Sequence, residues 1–586
     1  MAALGAAAAA DWPQWRGPGG LGVAPEGMPL PAEWSPESGH LRWATALPGS
    51  GHSSPIAAGG RIFLTTAYEG SRAPLLARLL AVGGVVLGLW LAVGVVRSWR
   101  RGDRVALRLL TLLFLTAAAA IALAPDLFYP GDRPGRVWRA TAAVALVGLA
   151  AAVGWLPPRS RLRTAGIALV AGAGAWVAWQ LPGSQIGPPS IEKRVVAALP
   201  AIVAVALFLR AHARADRAGQ TGRSGAWHAL PLVLLALVVF VPPNFLRGQL
   251  RAVVAVDLAS GELLWQRAAF AAPPEQKYAR ASYANPTPAT DGERVFAYFG
   301  AGLAAFDRGG GALWTRRFPD YARYSRYGAA SSPVVAGDAV IVVQESEAYQ
   351  GGPPGWIQAF DAGSGETLWK ISPEDARDSY GTPLVVEVGG RSLLLTASWE
   401  FLAAYDLADG KRLWRVGYPM MQMVASMARR DDLVAVSGGA HGDRKLLVLR
   451  LAGDPTRPPQ VLWESTSAVA RVPSPLFAGG LLFTLTDGGV LTAYGETDGR
   501  RVWRRRLEGD YFASLLAGDG KLYAVNTEGA VSVVAVGPSA ELLAVNRLDE
   551  PVHATPAVAG GCLLIRTAER LYCFAADGPP SPAEGG

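Results

Sequence analysis

One phrase recurs along this chain and restricts what it can fold into. Val253 to Trp265 reads VVAVDLASGELLW, Ile357 to Trp369 reads IQAFDAGSGETLW, and Leu402 to Trp414 reads LAAYDLADGKRLW. Leu303 to Trp314 is the same phrase one residue shorter, and Leu491 to Trp503 keeps the Gly and Trp but has Gly495 where Asp would stand. Each copy alternates apolar and polar residues, breaks at Asp and Gly, and resumes into Trp. Alternation with period two is the side-chain pattern of a strand, and Asp with Gly supplies turn chemistry, so each copy reads as a β-hairpin. Trp265, Trp314, Trp369, Trp414, Trp463 and Trp503 lie 49, 55, 45, 49 and 40 residues apart. A strand-built period of about 40–50 residues predicts a β-propeller with four antiparallel strands per blade.

A second landmark sets the blade count. A Ser or Thr, followed by Pro in six cases, precedes each innermost strand: Ser54, Thr287, Ser332, Thr382, Ser426, Ser474, Ser514 and Thr555. Eight occurrences predict eight blades. The last strand, within Arg570–Phe574, has no Trp after it, whereas Leu41–Trp43 is an outer strand without a blade of its own. Each has open edges, so the two are expected to pair and close the ring.

The first unit is too long. Trp43 and Trp265 are 222 residues apart, and the stretch 73–247 holds 19 Lys/Arg against 5 Asp/Glu. The formal net charge of +8 is therefore a property of that stretch, which carries +14, while the remainder carries −6. A basic balance confined to one insert is no indication of nucleic acid as a partner. Six apolar runs lie in it, near 75–96, 105–124, 137–156, 164–181, 195–209 and 227–241, several of them of bilayer-spanning length. The expected fold class is an all-β eight-bladed propeller with an inserted α-helical transmembrane domain of six helices in blade one. Arg-rich connections after the first, third and fifth runs place those loops in the cytoplasm and the propeller in the periplasm, at the inner membrane of a bacterium, with the lipid bilayer as a partner. No run carries Asp, Glu or His in its middle, so anchoring is the plain reading. The expected boundaries are an N-terminal arm at 1–40, first propeller strands at 41–70, the helical insert at 71–250, the rest of the propeller at 251–577 and a disordered tail at 578–586. Met1–Ala10 is apolar but too short for a whole signal peptide, a truncated signal at most. The Trp-rich arm Asp11–Pro18 is expected to pack across the side or base of the propeller. Cys562 and Cys573 flank one short hairpin, and either pair in an oxidising compartment or remain two buried thiols.

The recurring A-x-D-x-x-x-G-x-x-x-W phrase resembles the tryptophan-docking repeat of pyrroloquinoline quinone (PQQ) propellers, and Trp-Pro-Gln-Trp-Arg-Gly-Pro resembles the N-terminus of bacterial PQQ-like repeat proteins. The resemblance covers 11–70 and 250–577. It implies the fold, and it extends both to quinoprotein dehydrogenases and to the propeller lipoprotein of outer-membrane barrel assembly. It further implies that Trp43, Trp265, Trp314, Trp369, Trp414, Trp463 and Trp503 dock blade against blade. A dehydrogenase would need PQQ held by Arg and hydroxyl groups, Ca2+ held by carboxylates and amides, a catalytic Asp and often an adjacent-cysteine disulfide, which this sequence lacks. Two positions before the hydroxyl landmarks stand His52, Asn285, Ala330, Tyr380, Val424, Val472, Phe512 and His553, one amide and no carboxylate. Asp320, Glu374 and Asp378 are the loop acids that could add to such a site. There is no Cys or His pair at zinc spacing, so no metal ligands are assigned, and His441 stands alone in a Gly-rich loop. The reading is a membrane-anchored periplasmic propeller that binds a ligand or a protein partner. The alternative is a membrane-bound quinoprotein dehydrogenase with PQQ and Ca2+. Candidate ligand-binding residues in the funnel are His52, Tyr283, Asn285, Tyr327, Tyr380 and His553. The two histidines become neighbours on ring closure and are expected to titrate near neutrality, making binding pH-dependent between about 5 and 8.

Overall fold

The computed structural model describes residues 11–35, 40–71, 247–272, 275, 277–318, 321, 327–344, 355–373, 380–418, 423–439 and 444–576. Backbone contacts group Met1–Tyr68 with Gln249–Gly586, and Glu69–Gly248 as a second unit. The described strands form eight four-stranded antiparallel sheets, each one blade. In blade one the order from the inside outward is Ile56–Ala58, Arg61–Ser71, Arg247–Asp257 and Leu263–Ala272.

The middle strands are covered on both faces by neighbouring blades, and their sequences show it. Phe401–Asp406 is buried at its first five positions, whereas the outermost Arg501–Arg506 has no buried position and exposes Arg501, Arg504 and Arg506. Of the two, only the outer strand has a face that meets water.

The ring closes with strands from the two ends of the chain. Leu41–Ala46 pairs antiparallel with Arg570–Ala575, with Leu41 opposite Phe574, Trp43 opposite Cys573 and Thr45 opposite Leu571. Cys562 and Cys573 are buried and disulfide-bonded across adjacent strands of the same blade, with Cα atoms 5.7 Å apart.

Outer-strand tryptophans join each blade to the next. The indole N–H of Trp43 donates to the Leu258 carbonyl (3.1 Å), and Trp265, Trp314 and Trp369 donate to Arg308, Ala362 and Leu407 (3.0, 3.0 and 2.9 Å). Trp463 and Trp503 do the same to Glu496 and Gly537 (3.0 and 2.8 Å). Beneath the rings of Trp43, Trp265, Trp314, Trp369 and Trp463 the turn Gly is required by shape. Gly365 has φ +69°, and a Cβ there would lie 2.5 Å from the Trp314 ring, so only Gly fits. Trp414 departs from the series. Its neighbour's turn has become Gly453–Pro459, and the ring packs among Leu447, Leu449 and Leu451. Arginines two residues after Trp add a clasp that the repeat did not advertise. Arg267, Arg316 and Arg505 donate to the carbonyls of Gly310, Gly365 and Ala540 on the following blade.

At the centre, seven of the eight hydroxyl landmarks, all but Ser54, accept the N–H of the landmark one blade earlier. Ser54, Thr287, Ser332 and Thr382 donate through their N–H groups to the hydroxyls of Thr287, Ser332, Thr382 and Ser426 (2.9, 3.0, 3.1 and 2.8 Å). Ser426, Ser474 and Ser514 continue the series to Ser474, Ser514 and Thr555 (3.0, 2.9 and 3.0 Å).

The arm crosses one end of the channel, at the far ends of the innermost strands. Trp12 bridges Ala57 of blade one, the Pro13 carbonyl accepts from Thr290 of blade two, and Ala24 donates to Ala517 of blade seven. Trp34 packs on Tyr523 and Phe574 at 6.2 and 5.2 Å.

The expected six-helix transmembrane domain is not part of the observed fold. Among the described residues the sole helix is the three-residue 3-10 turn Pro18–Gly20, and no helix is long and apolar enough to cross a membrane. Residues 72–246 lie outside the described residues, as do Met1–Ala10, Asp320, Glu374, Asp378, His441 and the tail. The fold class is therefore corrected to an all-β eight-bladed propeller. The helical expectation rested on the length and hydropathy of the runs, which report apolarity and not backbone conformation.

Deleting Arg570 onward removes a strand whose Leu571, Tyr572, Cys573 and Phe574 are buried. At about 1.5–3 kcal/mol per large side chain, the loss should lower Tm by roughly 10 °C or more in one cooperative transition. Unchanged thermal stability would mean that these strands do not close the ring.

Candidate functional site

The channel widens away from the arm into a funnel of about 440 Å³. Its narrow end is walled by the eight hydroxyl landmarks, with Trp15 of the arm also in the lining. The next row outward is the set two residues earlier in each blade, from His52 round to His553, and all eight of those positions line the cavity. A chain that enters each blade through the same hydroxyl clasp must present the residue two before it to the axis. Loops form the mouth: Tyr278, Arg280 and Tyr327 from the blade-two and blade-three entries, and Arg471, Asp487 and Asp510 opposite.

Aromatic rings dominate this wall. Tyr327 meets Tyr380 edge-on at 5.9 Å and Tyr278 at 6.5 Å. His52 and His553 stack face to face at 4.5 Å, and Phe512 lies 5.8 Å from His553. Arg280, on the blade-two loop, reaches Phe512 of blade seven with its guanidinium 5.4 Å from the ring centre. That contact crosses the funnel over the histidine pair. Within the second strand of blade one, Ala67 bridges Ser50, two residues from His52.

Of the sequence-derived candidates, His52, Asn285, Tyr327, Tyr380 and His553 stand together in the funnel wall. Tyr283 does not. Its ring is held against Arg251 (4.5 Å) and Lys277 (5.3 Å), and its hydroxyl donates to the Glu275 carbonyl. Arg251 in turn forms a buried ion pair with Glu275. Tyr283 was chosen as part of a Tyr-rich loop, but the loop turns at Ala281, whose N–H bonds the Tyr278 carbonyl, and presents Tyr278 instead. Arg280, Arg471 and Trp15 carried no signal of their own, because their positions depend on loop reach and on where the arm threads.

The histidines also depart from expectation. Burial, then the nearby His553, Arg566 and Lys277, push His52 down to about 3. Burial and Arg280 lower His553 as well. His52 is therefore neutral from pH 5 to 8, and the expectation that it titrates near neutrality is corrected. The sequence placed them together but could not show how dry and how cationic the seam is.

Quinone and calcium can be tested against the donors present. The Asn285 amide oxygen accepts from the Ser282 N–H and hydroxyl, and its NH2 donates to the Ala329 carbonyl. Asp487 accepts the Val472 N–H. Among the described residues no three His, Cys, Asp or Glu side chains gather where a metal ion could sit. The described wall therefore does not fit a calcium-clamped quinone.

Parts of this chain are similar to known proteins. Residues 245–353, 353–450 and 456–537 match the family model described as outer membrane protein assembly factor BamB, the PQQ-like repeat model. The matched segments, a little under half of the chain, thus resemble PQQ-like repeats. A curated relative, outer membrane protein assembly factor BamB of Burkholderia pseudomallei (strain K96243), is 32% identical over 148 residues, 23% of this chain and 32% of that protein. The chain thus matches about a third of that relative's length. Among solved structures, BamB from Moraxella catarrhalis shares 14% identity (TM-score 0.40, 55% of this chain, 88% of that chain). A europium-containing methanol dehydrogenase shares 13% (TM-score 0.42, 56% and 89%).

The lowered histidine pKa values have a consequence for stability. With the folded-state pKa values depressed, protons bind first to the unfolded chain, so stability is full above about pH 6.5 and falls as the pH drops toward the folded values. Thermal melts from pH 7 to pH 4 should show this loss, and His52→Gln should make it shallower. Equal slopes for the two proteins would remove the pair from the account.

Proposed function

We propose that this protein is a binding module whose working surface is the funnel, acting outside the cytoplasm in the bacterial periplasm. The observation that carries the reading is the dead-ended, aromatic-walled cavity of about 440 Å³ formed by Tyr278, Tyr327, Tyr380 and Phe512 at the open end of the channel. A concave site of about 300–1,000 Å³ with an apolar wall and a few placed polar groups suits a small molecule or the end of a peptide. Arg280, Arg471, Asp487 and Asp510 all line the mouth, so it carries both signs of charge. The buried Cys562–Cys573 disulfide supports an oxidising compartment. The PQQ-like repeat supports the same class of role, since one relative's name is that of an assembly factor.

The test uses a neutral planar probe, N-phenyl-1-naphthylamine, titrated into the full chain by fluorescence. Saturable one-to-one binding is expected, weakened at least tenfold in Tyr327→Ala and Tyr380→Ala. Binding that those substitutions leave unchanged would move the site elsewhere. Adding PQQ with Ca2+ is expected to leave Tm where it is. A tight ligand at a hundredfold excess over its Kd would stabilise by about 2.7 kcal/mol, so a true site would be visible and would replace this reading by the dehydrogenase one.

A further inference from the structure

The narrow end of the funnel has donor chemistry that aromatic stacking at the mouth leaves unused. Seven landmark hydroxyls, from Thr287 round to Thr555, each accept an N–H at 2.8–3.1 Å. A hydroxyl that accepts in this way still has its own proton to donate. Among the described residues none of the seven gives that proton to a protein acceptor, and all seven line the cavity. The direction left for the O–H groups is the channel itself.

Two buried guanidinium groups stand directly behind the same ring. Arg16 donates to the carbonyls of Met427 (3.4 Å) and Pro475 (2.7 Å), the residues that immediately follow Ser426 and Ser474. Its guanidinium lies 5.6 Å from the ring centre of Trp15. Arg566 donates to the carbonyl of Ser53 (3.0 Å), the residue before Ser54, and to the Ser53 hydroxyl. Both are 1% exposed, and among the described residues neither meets a carboxylate. Burial pushes Arg16 down to about 10 and Arg566 to about 9, so both remain charged at neutral pH. Holding a buried cation without a counter-charge costs several kcal/mol. Asp487 does not serve, since it is tied to Val472, one row nearer the mouth.

We propose that the narrow end of the funnel is an oxyanion subsite. One carboxylate, phosphate or sulfate group of a ligand accepts hydrogen bonds there from the ring of Ser and Thr hydroxyls, above Trp15 and between the fields of Arg16 and Arg566. The inference rests on the binding-module reading and names the chemistry at the bottom of the same cavity. Water alone would satisfy the hydroxyls but would leave both guanidinium charges uncompensated.

The test is calorimetric titration of the full chain, in chloride-free buffer at pH 7, with sodium sulfate, inorganic phosphate and acetate in separate arms. Saturable binding of one ion per chain is expected in at least one arm, and the arm that binds tells carboxylate from phosphate or sulfate chemistry. Ser332→Ala with Ser474→Ala removes two O–H donors and should weaken that binding at least tenfold, whereas Thr at both positions should restore it. Because the Ala variant also loses two inter-blade bonds, crystals of the unaltered protein soaked in selenate provide a second readout. An anomalous peak on the channel axis within hydrogen-bonding distance of the landmark hydroxyls is expected. No saturable binding in any arm, or selenate found only outside the ring, overturns the inference. Binding of the neutral naphthylamine probe is unaffected by that failure, so the binding-module reading stands or falls separately.

Discussion

The architecture depends on one hydrogen bond used seven times: a backbone N–H of one blade donated to the side-chain hydroxyl of the next. The innermost strands are only about three residues long, as in Ile56–Ala58 and Leu476–Ala478. Strands that short contribute little cohesion of their own, and without these hydroxyls their buried N–H groups at the axis would have no partner. Each such bond is worth about 0.5–1.5 kcal/mol net, but an orphaned buried N–H costs about 1–3 kcal/mol. The hydroxyl is thus needed at the seven blades from two to eight, whereas Pro after it is not, as Met427 and Leu515 show.

The eighth link of that series, from Thr555 to Ser54, is not made among the described residues. The seam between blades eight and one is held by other means. Leu41–Ala46 completes the last sheet, Arg566 clasps Ser53, and the His52 and His553 rings stack. A ring made from one chain must have such a joint, and here its stacked histidines also face the funnel. Burial and nearby cations at this joint lower both histidines, His52 beside Arg566 and Lys277 and His553 beside Arg280.

The arm gives the channel its functional character. A propeller axis open at both ends is a pore, and one closed at a single end is a pocket. Asp11–Trp34 bonds to the innermost strands of several blades, with Arg16 reaching carbonyls of blades five and six and Trp15 turned into the lining. The same segment that braces the base thereby supplies the narrow end of the site. Rings and both signs of charge are gathered at the mouth, and hydroxyl donors with buried cations at the bottom. That gradient suits a ligand with a planar or apolar body and one anionic end.

The sequence by itself determined the number of blades, their boundaries and the docking residues, because these follow from local periodicity repeated eight times. The recurrence of tryptophan every 40–55 residues and the hydroxyl before each inner strand are properties of neighbouring residues, and the hydroxyl is present in all eight copies. The row at Asn285, Tyr380 and Phe512 followed from that register as well. Only the tertiary structure decided what depends on reach and burial. Tyr278 rather than Tyr283 faces the funnel because a loop turns at Ala281. Arg280 belongs to blade two by sequence and to blade seven by contact. Arg16 and Arg566 look like ordinary surface arginines until the fold removes water from around them. Charge, exposure and long-range proximity belong to the assembled ring, and no repeat encodes them.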